Sequence, residues 1–217
     1  ERRQLTVLFC DLADSTVLAG QLDAEDLREV VRAYQEAAGG AIQRFEGHVA
    51  KFIGDGILAY FGYPRAHEDD AQRSVHAALG ILEAVGQLNF RLHRELGLRL
   101  AVRIGVHTGL VVVGDVGGAG RTEQLAIGET PNVAARVQGL AAPGAIVVSQ
   151  TTHHLVRGFF TCDDMGERTL KGVERPRRVH RVLRATGAVG RLEAAGAREL
   201  TALVGRDREL GRLNEGW

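Results

Sequence analysis

Cysteine is almost missing from this sequence. Cys10 and Cys162 stand far apart in strand-like apolar stretches, too few for a disulfide framework and without the spacing of a metal site, which points to a reducing, cytoplasmic setting. Excess charge of either sign is missing too: 27 Lys and Arg balance 27 Asp and Glu, so no net field draws the chain toward nucleic acid or an anionic membrane surface. No apolar run approaches the ~18 residues that cross a bilayer. The opening Glu1-Arg2-Arg3-Gln4 has no signal-peptide core, so neither a membrane nor a nucleic-acid partner is expected. What remains, 45% hydrophobic and 25% charged residues in a chain of 217, is the balance of a globular protein able to bury a sizeable core. The chain begins without Met and breaks off mid-pattern at Gly216-Trp217, which reads as part of something longer.

Catalytic signatures are missing as well. There is no Walker lysine after the first strand-like run, no GxSxG elbow, no HExxH pairing among the eight histidines and no GG(D/E)EF stretch. P-loop, Rossmann, acyl-transfer and zinc-hydrolase readings therefore fail, and a diguanylate cyclase is disfavoured.

The hydrophobic pattern alternates. Leu5 to Cys10 is a short buried strand stopped by Asp11, and Leu22 to Phe45 has helical spacing through Leu27, Val30, Val31 and Tyr34. His48 to Ile53 and Ile57 to Phe61 flank Gly54-Asp55-Gly56 as a hairpin with Asp55 at its tip. Glu68 to Leu92 reads as a helix, and Leu98 to His107 and Leu110 to Val113 as two strands joined at Thr108-Gly109. After the glycine-rich loop Gly117 to Gly120, Thr130-Pro131 opens a short helix with Val133, Val137 and Leu140 on its apolar face. Further strands are expected at Ala145 to Val148, Phe159 to Asp163 and Arg178 to Val182. Tight hairpins interrupt the alternation, so an α+β fold with a mixed sheet flanked by helices is predicted. Residues 1–184 form one domain, and from Ala185 the Ala, Gly and Arg content reads as a linker.

Asp11 ends a strand and Asp55 tips a hairpin, and if the hairpin pairs beside that strand the two carboxylates converge. Such a pair repels unless a cation sits between them, and its oxygens suit Mg²⁺ or Mn²⁺ when a phosphate supplies further ligands. Taken alone, Asp11 equally suits a turn cap and Asp55 a glycine-flanked bend. Of the 27 basic residues only Lys51 and Lys171 are lysine, either by composition or because a compact ammonium is needed there. Asn132 and Arg136 stand four apart, off the valine stripe of their helix, suited to a ribose oxygen and a phosphate or to plain solvation. Arg103 interrupts a strand and reads as an outward charge or a phosphate ligand.

Four segments in order, Val7 to Thr16, Lys51-Phe52-Ile53-Gly54-Asp55-Gly56, Arg103 to Gly109 and Ile127 to Arg136, resemble the catalytic domain of class III nucleotidyl cyclases, the adenylyl and guanylyl cyclase family. The resemblance covers about residues 3–184. It implies a ferredoxin-like βαββαβ palm with extra strands in a mixed, mostly antiparallel sheet, working as a head-to-tail homodimer with shared active sites. It implies that Asp11 and Asp55 hold two divalent ions per site, Mg²⁺ or Mn²⁺, that Lys51 reads the base, Asn132 orients the ribose and Arg136 faces the transition-state phosphate. Arg103 and Lys171 resemble positions that steady the triphosphate.

The implied reaction converts ATP to 3′,5′-cyclic AMP and pyrophosphate, with Asp11, solvent or the substrate itself left open as proton acceptor. Lys51 offers only donors, which match the N1 acceptor of adenine and oppose the N1–H of guanine. Seven residues before Asn132 the family usually has Asp or Thr to accept from the adenine amine, and this chain has Leu125. That departure keeps two alternatives open, a relaxed choice between ATP and GTP and a degenerate domain that binds nucleotide to regulate an attached module. Leu203 to Leu210 resembles the opening of the AAA/STAND-type ATPase modules that follow some bacterial cyclase domains, so residues 185–217 are expected to be a linker and the start of a downstream ATPase domain.

Overall fold

The computed structural model describes residues 2–116, 123–173 and 175–188 together with Gly190, Glu193, Ala194 and Arg212, without the side chains of residues 115–116 and 123–127. The glycine-rich loop at 117–120 and the ATPase-like stretch at 203–210 lie outside the described residues, as does most of the expected linker.

The first half of the chain builds the palm. Strand β1 (Arg2–Leu12) leads through helices α1 (Ser15–Gln21) and α2 (Ala24–Arg44) to the hairpin β2 (His48–Ile53) and β3 (Gly56–Phe61), then through α3 (Asp70–Leu96) to β4 (Val102–Val116). The single helix expected over 22–45 is α2. It is separated from α1 because the carboxylate of Asp23 accepts from the backbone N–H groups of Glu25 and Asp26, both at 2.9 Å, and so starts a new helix. β5 (Glu123–Ile127), α4 (Glu129–Gln138), β6 (Ala145–Ser149), α5 (Gln150–Val156), β7 (Phe160–Arg168) and β8 (Arg177–Ala185) follow.

The sheet runs β2-β3-β1-β4-β6-β8-β7, with β5 paired to β4 off this path. Only β4 and β6 pair in parallel among these strands. The order β2-β3-β1-β4 is the βαββαβ palm, and β6, β8 and β7 are its extra strands, as predicted.

Each face of β1 has its own cover. Leu8, Cys10 and Leu12 pack with Val30, Tyr34 and Ile42 of α2 and Val75, Ile81 and Val85 of α3, in the main core. Leu5 and Val7 face the other way, into a smaller cluster with Leu58, Tyr60, Val111 and Ala134 of α4. Side-chain alternation therefore sends Asp11, in step with Leu5 and Val7, to the α4 face.

One expectation is corrected. Thr108-Gly109 is not a junction between two strands: β4 is continuous for 15 residues and pairs with β1 from Val102 to Val112. Gly109 is there for closeness, since a Cβ on it would lie 2.6 Å from Thr130 Oγ1, and Gly105 has the same role beneath Gln138. Thr130, Ala134 and Gln138, spaced by four on α4, are all buried. α4 is thus seated on a two-glycine groove of β4.

Candidate active site

β1 and β3 pair with Cys10 opposite Ile57, which brings the β2–β3 tip to the end of β1. The tip is held twice. Gln35 Nε2 of α2 donates to Gly54 O at 2.9 Å, and the backbone N–H of Leu12 donates to Asp55 Oδ2 at 3.3 Å. Gly54 adopts φ 63°, the left-handed turn conformation that the sequence Gly-Asp-Gly serves. Asp55 consequently lies against the residue that follows Asp11.

Asp11 is half-buried. Burial raises its pKa, the amide of Gln138 lowers it by donating from Nε2 to Oδ1 at 2.5 Å, the charge of Asp55 raises it and the charge of Arg103 lowers it, with the net shift upward. Arg103 is paired in register with Asp11 across β1 and β4. Its Nη2 donates to Asp14 Oδ1 at 3.2 Å, so the cation whose charge acts on Asp11 is engaged with a residue whose side chain is 69% exposed. Asp14 itself has φ 57° and starts α1.

Two adjoining carboxylates with a neutral amide as the close donor form a site short of positive charge, which fits a divalent cation. Among the described residues no group of three or more His, Cys, Asp or Glu could hold a metal. Asp11 and Asp55 therefore fit an ion of the Mg²⁺ type, which binds one or two carboxylates and takes the remaining ligands from water and phosphate, and do not resemble a closed structural cage.

The structure brings Asp11, Asp55 and Arg103 together and leaves the other candidates on the surface. Lys51 lies on β2 opposite Leu58, after a bulge at Val49/Lys51, and is exposed. Asn132 and Arg136 are exposed on α4, on the side turned away from its seat. Lys171 is exposed in the turn between β7 and β8. Leu125 pairs with Gly114 in the β4–β5 ladder, and its side chain is not among those described. A cavity of about 510 Å³ lies toward the start of β1, against Thr6, Thr108, His67 and Asp70, and includes none of these residues.

Gln138 is the residue that sequence reasoning missed. The apolar face of α4 was expected at Val133, Val137 and Leu140; the second buried face, Thr130-Ala134-Gln138, has its signal in the matching spacing of Gly105 and Gly109.

The family profile described as "Adenylate and Guanylate cyclase catalytic domain" matches residues 1–183. The chain belongs to this cyclase family. Its fold superposes on the adenylyl cyclase CyaB of P. aeruginosa with a TM-score of 0.83 at 27% identity, over 88% of this chain and 98% of that one. The guanylyl cyclase Cya2 gives a TM-score of 0.83 at 30% identity, over 88% and 96%. In sequence the chain is 32% identical over 142 residues to an adenylate cyclase of Anabaena cylindrica, covering 64% of this chain and 27% of that protein. It is 34% identical over 218 residues to the uncharacterized protein R02095 of Rhizobium meliloti, covering all of this chain and 21% of that protein. The chain thus spans roughly a fifth to a quarter of the length of these curated relatives. No helix among the described residues is long and apolar enough to cross a membrane.

Proposed function

We propose that this cyclase domain converts ATP to 3′,5′-cyclic AMP and pyrophosphate at a site completed by a second copy of the chain. The observation that carries the reading is the meeting of the Asp55 carboxylate with the end of β1 that bears Asp11. Asp11 and Asp55 hold Mg²⁺ or Mn²⁺, which, when bound, makes the ribose 3′-hydroxyl more acidic and offsets charge on the triphosphate.

The remaining roles belong to side chains on the surface. Arg136 presents its guanidinium to the oxygens of the α-phosphoryl group, where a well-placed donor contributes roughly 3–4 kcal/mol to the transition state. Asn132, one turn earlier on α4, orients the ribose, and Lys51 donates to adenine N1. Arg103 and Lys171 steady the triphosphate; Arg103 reaches it by giving up the contact with Asp14, an exposed ion pair worth at most about 1 kcal/mol. Exposure of Lys51, Asn132 and Arg136 supports a site that closes only between subunits, because catalysis needs these groups out of bulk water.

A cytoplasmic location goes with an ATP substrate and with two free thiols. Residues 185–217 are read as a linker and the start of an ATPase module on the resemblance of Leu203 to Leu210 alone.

Relaxed base choice is the second reading, favoured by Leu125, which cannot accept from the adenine amine, and by likeness to both an adenylyl and a guanylyl cyclase. Incubation with ATP or GTP and Mg²⁺ or Mn²⁺, with products resolved by chromatography, separates the outcomes. Cyclic AMP in excess is expected; equal cyclic AMP and cyclic GMP supports relaxed choice, and no cyclic product from either nucleotide at dimer-favouring concentrations overturns the proposal.

A further inference from the structure

Gln138 is a buried polar residue 127 positions from Asp11 in the chain, and its Nε2 donates to Asp11 Oδ1 at 2.5 Å. Its backbone is fixed from below. A Cβ on Gly105 would lie 2.2 Å from Gln138 N and 2.5 Å from Gln138 Cα, so the end of α4 rests directly on the backbone of β4. The amide therefore has little freedom to leave the carboxylate by movement of its helix.

The residue type matters. An arginine or lysine here would neutralise Asp11 and compete with a cation. A glutamine amide uses one lone pair of one oxygen and adds no charge, so it sets the plane of the carboxylate and leaves its charge for a metal. Arg103, the cation opposite Asp11 in the ladder, has its Nη2 turned to Asp14.

From these contacts we infer that Gln138 is a positioning residue for divalent cation binding: it holds Asp11 in its metal-receiving orientation and ties it to α4, the helix that also carries Asn132 and Arg136. This rests on the reading of Asp11 and Asp55 as the metal pair. In a dimer with shared sites, the tie joins the carboxylate half of one site to the Asn132/Arg136 half of the other through a single short helix.

Mn²⁺ binding to the 217-residue chain without nucleotide, followed by the electron paramagnetic resonance signal of free Mn²⁺, tests this directly. Gln138→Met keeps the length of the side chain and removes the donor, and Gln138→Ala removes both. Each is expected to bind Mn²⁺ about 10–100-fold more weakly than wild type, with helix content by circular dichroism unchanged. Wild-type affinity in a folded variant overturns the inference. A second measurement needs no substitution: the side-chain amide resonances of Gln138 in the wild-type chain are expected to shift on adding Mg²⁺, and an amide unmoved at saturation overturns the inference too. A wild type that makes cyclic product while the variants bind Mn²⁺ equally well sinks this inference alone. A wild type that neither binds Mn²⁺ nor makes product sinks the metal-pair reading, and this inference with it.

Discussion

Replacing Gly105 by alanine adds one methyl group at the point where α4 touches the sheet. The new Cβ would lie 2.2 Å from Gln138 N, 2.5 Å from Gln138 Cα and 2.6 Å from Ala134 O, all backbone atoms that no rotamer change can move. Restoring an ordinary contact near 3.4 Å requires α4 to lift by about 1 Å. Overpacking of this kind costs about 1–3 kcal/mol, which for a chain of this size lowers the melting temperature by roughly 2–12 °C. If Asn132 and Arg136 have the proposed roles, the same lift carries them out of register with substrate, and a 1 Å misplacement can reduce turnover about 100-fold. Scanning calorimetry and a cyclic-nucleotide assay on one preparation measure both effects. Gly40→Ala, inside α2 with nothing within 4 Å of its Cβ position, is the opposing control and is expected to stabilise by about 0.5–1 kcal/mol. A Gly105→Ala protein with wild-type melting and turnover would refute the seating of α4 on this glycine.

Two further outcomes follow from buried groups. His107 donates to or accepts from Ser149 Oγ at 2.8 Å, and burial, helped by the charge of Arg177, pushes its pKa down from 6.5 to about 4. Because the folded value lies below the unfolded one, the stability from the neutral ring is complete above about pH 6.5 and is lost as pH falls toward 4, a loss of about 3 kcal/mol. Chemical denaturation across that range should show a shallower decline for His107→Gln than for wild type, and equal slopes would contradict the assignment. Cys10 is buried against the Tyr34 hydroxyl at 3.2 Å, with its thiol pushed up to about 12, and burial pushes Cys162 up to about 11. A thiol reagent at pH 8 should therefore label neither quickly in the folded chain and both after denaturation; rapid labelling of folded Cys10 would be the contrary result.

The parts of the site legible in the sequence were those whose chemistry is local. Gly54-Asp55-Gly56 between two apolar runs specifies a hairpin tip on its own, and Asp11 at the end of a buried apolar run specifies a carboxylate near the end of a strand, although β1 runs one residue further, to Leu12, with Asp11 still paired to Arg103. Their approach required only that the hairpin pair beside β1, which the palm topology ensures. Features set by packing between distant segments were not legible. Gly105 and Gly109 look like ordinary strand and turn glycines until α4 is laid across them, which is why Thr108-Gly109 reads as a junction in the sequence. Gln138 escaped for the same reason, its partner being 127 residues away. Arg103 illustrates the limit from the other side: its interruption of a strand is visible, but the contact with Asp14 depends on a left-handed residue at the start of α1.

The central claim, a catalytic site divided between two copies of this chain, is tested most directly by mixing inactive proteins. Asp55→Ala lacks part of the carboxylate half and Asn132→Ala part of the ribose half, so each homodimer should form almost no cyclic nucleotide. In a mixed dimer one of the two sites keeps every group, and random pairing should restore about a quarter of wild-type activity, given two equivalent sites per twofold dimer. Recovery near that level is the predicted result; mixed dimers demonstrated by co-purification that stay inactive would contradict the shared site.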